Sequence, residues 1–88
     1  MKKNEEFWNA SEGDFIEGEL IEITDNIGKY SNRIYKIRTE NKIFCIWESV
    51  ELKELFENVE RGDRIYLKYI GTTDCGEYYK KNYELKIL

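Results

Sequence analysis

The sequence predicts an all-β fold class: a five-stranded β-barrel carrying one helix, in the order β-β-β-α-β-β. Three observations carry this expectation. Short segments of alternating apolar and polar residues recur between turn-rich stretches, which is the period-two signature of half-buried strands. A single window near residues 49–59 switches to helical spacing. The chain also contains no proline, so a closed or nearly closed barrel is its natural protection against strand edges.

Size and composition set the frame. Eighty-eight residues make one domain, with 41% hydrophobic residues to fill a single small core. We divide it into an arm at residues 1–13 and a barrel at 14–88. No apolar run approaches the ~20 residues of a membrane span. The opening MKKNEE has two lysines with no apolar stretch behind them, so no secretory signal is expected there. Cys45 falls in an apolar strand and Cys75 in a Gly-containing loop; with no CxxC pair and no histidine, neither a disulfide scaffold nor a zinc site is expected. A reducing, cytoplasmic setting fits both thiols.

Phe7 and Trp8 interrupt an otherwise polar arm and are expected to plug an open end of the barrel. In the first strand, Asp14 to Thr24, Ile16, Gly18 and Leu20 alternate with Glu17 and Glu19. Ile21 and Ile23 then take the other parity, which predicts a bulge or sharp bend after Leu20. Gly18 allows tight coiling at that place. Residues 25–32, DNIGKYSN, are dense in turn formers.

The second strand is RIYKIR, Arg33 to Arg38, with Tyr35 and Ile37 on one face and Ile34, Lys36 and Arg38 on the other. A turn at Glu40-Asn41 leads to the third strand, KIFCIW, Lys42 to Trp47, apolar on both faces. Phe44 and Ile46 are expected inside, and Ile43, Cys45 and Trp47 outside. Ser49 is a helix N-cap with Glu51 in the first turn. Leu52, Leu55, Phe56 and Val59 follow at i, i+3, i+4 and i+7, which predicts a helix of about ten residues with one apolar stripe. Arg61-Gly62-Asp63 ends it in a turn.

The fourth strand is RIYLKYI, Arg64 to Ile70. A long polar loop is expected over residues 71–82, and a fifth strand, YELKIL, at Tyr83 to Leu88. A three-strand meander, a helix and a hairpin follow the order of the OB-fold. Another small α+β sheet, such as an SH3-like barrel with an inserted helix, is the rival.

The stretches IFCIWES, LFENVERGD and RIYLKYIG, within Ile43 to Gly71, resemble bacterial and phage single-stranded DNA-binding proteins of the OB-fold family. YELKIL resembles the closing strand of that family, and a first strand containing Gly18 also fits it. The resemblance is one of pattern and spans residues 14–88. It implies base stacking at Trp47, the aromatic that ends strand three. The family's chromosomal members carry an acidic tail that recruits partners. This sequence stops at Leu88, so partner recruitment through such a tail is not expected, and its short length resembles phage or prophage members more than chromosomal ones. The acidic first strand departs from the family.

Charge distribution points the same way, although the net charge of −4 does not. Residues 1–25 hold two basic and eight acidic side chains; residues 26–47 hold five and one. Residues 48–63 hold two and six; residues 64–88 hold five and three. At contact range a polyanion feels the local field, because salt screens beyond about 8–10 Å. The two basic segments coincide with the surface that OB domains use: strands two and three and the flanking loops. The candidate nucleic-acid-binding residues are therefore Lys29, Tyr30 and Arg33 in and after the first loop, Lys36 and Arg38 on strand two, Trp47 on strand three, and Tyr78, Tyr79, Lys80 and Lys81 in the last loop. Cations neutralise phosphates and rings stack on bases with little sequence preference.

Each residue also has a plain structural role open to it. Trp47 can close the barrel against the helix, and Lys36 and Arg38 can form an ordinary solvated face. Glu17 and Glu19 share a strand face, yet no nucleophile or phosphate cradle accompanies them, and an enzyme is the least expected class. The expected partner is single-stranded DNA, with RNA and a protein-binding adaptor as alternatives and homo-oligomers compatible with exposed Ile34 or Ile43. No cofactor and no membrane partner is expected.

Overall fold

A computed structural model describes residues 4–27 and 32–88. Its elements are β1 (Asn4–Phe7), β2 (Phe15–Ile27), β3 (Asn32–Arg38), β4 (Lys42–Trp47), α1 (Val50–Leu55), β5 (Arg64–Asp74) and β6 (Tyr79–Ile87). All six strands lie in one sheet, in the order β1-β4-β3-β2-β5-β6. The all-β expectation holds, but the strand number does not: the sheet has six strands where five were expected, and β1 and β6 remain as its edges.

β2 is the hub. Phe15–Glu19 pairs antiparallel with β5, and Glu19–Ile27 pairs antiparallel with β3. One strand can serve two neighbours in succession only if it coils. Gly18 stands at the crossover, where a Cβ would lie 2.3 Å from the carbonyl oxygen of Arg38. Only a residue without a side chain lets β3 approach so closely. The register shift falls between Leu20 and Glu22, so Ile21 is the bulged residue that the change of parity predicted. After it, Glu22 faces Lys36 and Ile23 faces Tyr35.

The inner faces converge on one core of Ile16, Leu20, Tyr35, Ile37, Ile46, Ile65 and Leu67, capped by Leu52, Phe56 and Val59. The helical segment keeps its expected cap and apolar stripe but is shorter than the expected helix of about ten residues: α1 has six residues and passes into a 3-10 turn. Ser49 Oγ accepts the N–H of Leu52 at 3.2 Å, α1 turns once and a half, and a 3-10 turn over Phe56–Asn58 brings Phe56 over Tyr35, with ring centroids 4.1 Å apart. Gly62, at φ +97°, closes the following turn, and its N–H donates to the carbonyl of Leu20.

Two expectations of the sequence are corrected. The arm contains a strand: β1 adds in parallel to β4, Asn4 opposite Lys42 through Phe7 opposite Cys45. Its four side chains are all exposed, so no apolar alternation was needed to form it. The ladder and the ion pairs of Glu5 and Glu6 hold it instead. The polar stretch at 71–82 is likewise ladder rather than loop, because β5 and β6 continue as a hairpin pairing Gly71 with Asn82 and Asp74 with Tyr79. Both faces of that hairpin meet solvent, which removes the alternation by which strands are read. Its turn is closed by Cys75 N–H to the Tyr78 carbonyl and Gly76 N–H to Asp74 Oδ1.

Candidate nucleic-acid interface

The outer face of β3 and β4 carries a grid of side chains fixed by register. Ile34 lies opposite Trp47, Lys36 opposite Cys45 and Arg38 opposite Ile43. β1 extends the grid by placing Glu5 beside Ile43 and Phe7 beside Cys45, and β2 extends it on the other side with Glu19, Glu22 and Thr24. Ile34 and Cys45 are buried although they face outward. Burial raises the Cys45 thiol pKa, and both cysteines are free.

The cations of this grid all have carboxylate partners. Lys36 Nζ lies 3.2 Å from both Glu5 and Glu22. Arg38 donates to Glu19 at 2.8 Å. Arg33 has the parity of Tyr35 and so stands outside this outer row; it binds Asp25 and reaches Glu48 at 3.7 Å. These contacts, through the hydrogen bonds to Glu22 and Glu5 for Lys36 and to Asp25 for Arg33, raise the pKa values of both cations. The Thr24 hydroxyl, followed by Lys36, holds the Glu22 carboxyl below its ordinary range. Such exposed pairs contribute little to stability, about 0–1 kcal/mol each, so a competing anion exchanges with them at small cost.

Trp47 is 44% exposed and is not entombed. Phe7 stacks on it, with ring centroids 5.6 Å apart and planes 3° from parallel. Trp8, which follows β1, turns the other way. Its N–H donates to the Cys45 carbonyl, and its ring packs against the core and lies 6.3 Å from Tyr83 of β6. So Trp8 fills the space between β4 and β6, whereas Phe7 lies on the surface. Tyr69 completes the wall at 5.4 Å from Tyr83, and burial raises the Tyr83 pKa.

Between these rings runs a crevice of about 180 Å³, lined by Phe7, Trp8, Trp47, Tyr69, Tyr83 and Lys81 among others. It unites two residues singled out in the sequence, Trp47 and Lys81. Lys80 and Lys81 also border an adjoining hollow beside Glu51, Glu54 and Leu55. Both lysines are exposed, and among the described residues neither forms an ion pair. Tyr78 and Tyr79 are 61% and 71% exposed at the hairpin tip and do not line the crevice. Lys36 and Arg38 share the outer face of β3, whereas Arg33 takes the Tyr35 parity and is not brought together with them. Lys29 and Tyr30 lie outside the described residues. The sequence reading did not place Phe7, Trp8, Tyr69 or Tyr83 in a site. The signal for the first two was present as an aromatic pair in an otherwise polar arm.

A larger open concavity of about 740 Å³ lies on the other side of β1. Glu6, Asp14, Glu17 and Glu40 line it, so it repels a polyanion. Among the described residues no group of metal-ligating side chains occurs, and no helix is long and apolar enough to cross a membrane. The chain matches no protein-family model, no curated protein and no solved structure.

Proposed function

We propose that the chain is an OB-type barrel, β2 to β6 with α1, extended by β1, and that it binds single-stranded DNA with low sequence specificity. The element order and the double pairing of β2 support the OB reading. One observation carries the function: the half-exposed Trp47 ring and Lys81 line the same aromatic crevice. A base has a π face for the ring, and the adjoining phosphate has an ammonium without a carboxylate partner among the described residues. The sequence carries no base-reading motif, so affinity is expected to follow backbone charge and stacking. Replication or recombination of a phage or mobile element is the setting that fits such an activity.

Titration of tryptophan fluorescence with oligo-dT at several salt concentrations tests this. Quenching is expected at low salt, and log K falls with log salt. The slope is about −1.4 if two phosphates are bound, by Lys80 and Lys81, and about −3 if four are bound because strand cations exchange carboxylate for phosphate. No binding at low salt ends the proposal. The second reading is a protein-binding adaptor, favoured by the carboxylates on Arg33, Lys36 and Arg38. It expects Lys36→Glu with Lys80→Glu to leave DNA retention unchanged and a protein partner to be retained.

A further inference from the structure

β1 adds to the edge of β4 and carries part of its side chains onto the outer face of the sheet. Its side chains alternate, so Glu5 and Phe7 share one face and Glu6 takes the other. On the shared face, the Glu5 carboxylate lies 3.2 Å from Lys36 Nζ and the Phe7 ring lies parallel to Trp47. An anion and a planar ring, two residues apart, thus occupy a cation and a ring of the candidate interface. Glu6 holds the strand from the opposite face through Lys42 at 2.8 Å. The element is weakly held otherwise: four residues, every side chain exposed, at the edge of the sheet. Edge segments with few buried contacts open at low free-energy cost.

From this juxtaposition we infer that β1 is an autoinhibitory strap, in which Glu5 stands in for a phosphate and Phe7 for a base, and that a DNA strand binds by displacing it. The inference rests on the strand-binding reading and adds its regulation. Displacement frees one face of Trp47, leaves Lys36 with Glu22 alone and exposes the outer ladder edge of β4. Binding is therefore coupled to release of the strap, and a competent state that is only fractionally populated weakens the observed affinity in proportion.

Anisotropy of labelled oligo-dT, read with full-length wild type, Phe7→Ala, Glu5→Gln and the double variant, tests the coupling. Phe7 is 54% exposed, so its removal leaves the core intact. Phe7→Ala is expected to bind about two- to tenfold tighter, the size of one lost ring stack, and the double variant tighter still. In wild type, amide hydrogen exchange of Glu5 to Trp8 is expected to quicken on saturation with oligo-dT. If wild type binds and the variants bind equally or more weakly, or exchange at β1 is unchanged or slowed, the strap is overturned and strand binding stands. If neither wild type nor any variant binds at low salt, both readings fall.

Discussion

Gly18 shows what a single residue settles in this fold. Its missing side chain lets β2 leave β5 and take up β3 without a break, because a Cβ there would meet the backbone of Arg38 rather than a side chain able to move. Gly18→Ala is expected to lower stability by about 1–3 kcal/mol, the usual cost of forcing atoms into a packed site. Urea unfolding checks this, with a shifted midpoint and an unchanged slope as the expected result. The alternation around Gly18 made this role legible in the sequence. Tyr35 was legible only in part. Its inward parity predicted the buried ring, but its hydroxyl also donates to Glu48 at 2.6 Å, a carboxylate 13 positions away that no local pattern identifies. The partners of Lys36 were hidden for the same reason: Glu5 and Glu22 come from two other strands.

At the scale of elements, strands with one buried face announced themselves and strands with two exposed faces did not. β2 and β3 alternate because the core selects every second residue, and β4 is apolar on both faces because Cys45 is covered as well as Ile46. β1 and the outer half of the β5–β6 hairpin bury almost nothing, so hydrophobicity carries no record of them. Backbone ladders and ion pairs form there with polar sequences as readily as with apolar ones. The helix was legible from its cap and stripe. α1 has six residues, far fewer than the ~12–15 an isolated helix needs, and so depends on Leu52, Phe56 and Val59 packing against the sheet and on its cap. Ser49→Ala leaves the Leu52 N–H without its acceptor and is expected to cost about 1 kcal/mol. In a domain of this size that lowers Tm by about 4–8 °C, which calorimetry resolves. An unchanged Tm would mean that α1 is held by packing alone.

For the whole molecule, the decisive property is where charge stands without compensation. Of the described cations in the basic segments, Lys36 and Arg38 stand on the outer face of β3 and Lys80 and Lys81 on the distal hairpin, whereas Arg33 and Lys42 take the opposite parity and Arg64, Lys68 and Lys86 lie elsewhere on β5 and β6. On β3 their charge is met by Glu5, Glu19, Glu22, Asp25 and Glu48, which sequence counting could not reveal because those residues arrive from other elements. A smaller site joins the exposed Trp47 ring of β4 with Lys81 of β6, an ammonium without a carboxylate partner among the described residues, along one aromatic crevice. The most direct test compares oligo-dT affinity at low salt for wild type, Trp47→Ala and Tyr66→Ala. Tyr66 is the control, since its ring stacks on Phe15 and is not part of the crevice lining. A loss of about tenfold or more is expected for Trp47→Ala, the worth of one stacked base, and none for Tyr66→Ala. Equal affinities for Trp47→Ala and wild type, or a loss confined to Tyr66→Ala, would contradict this expectation.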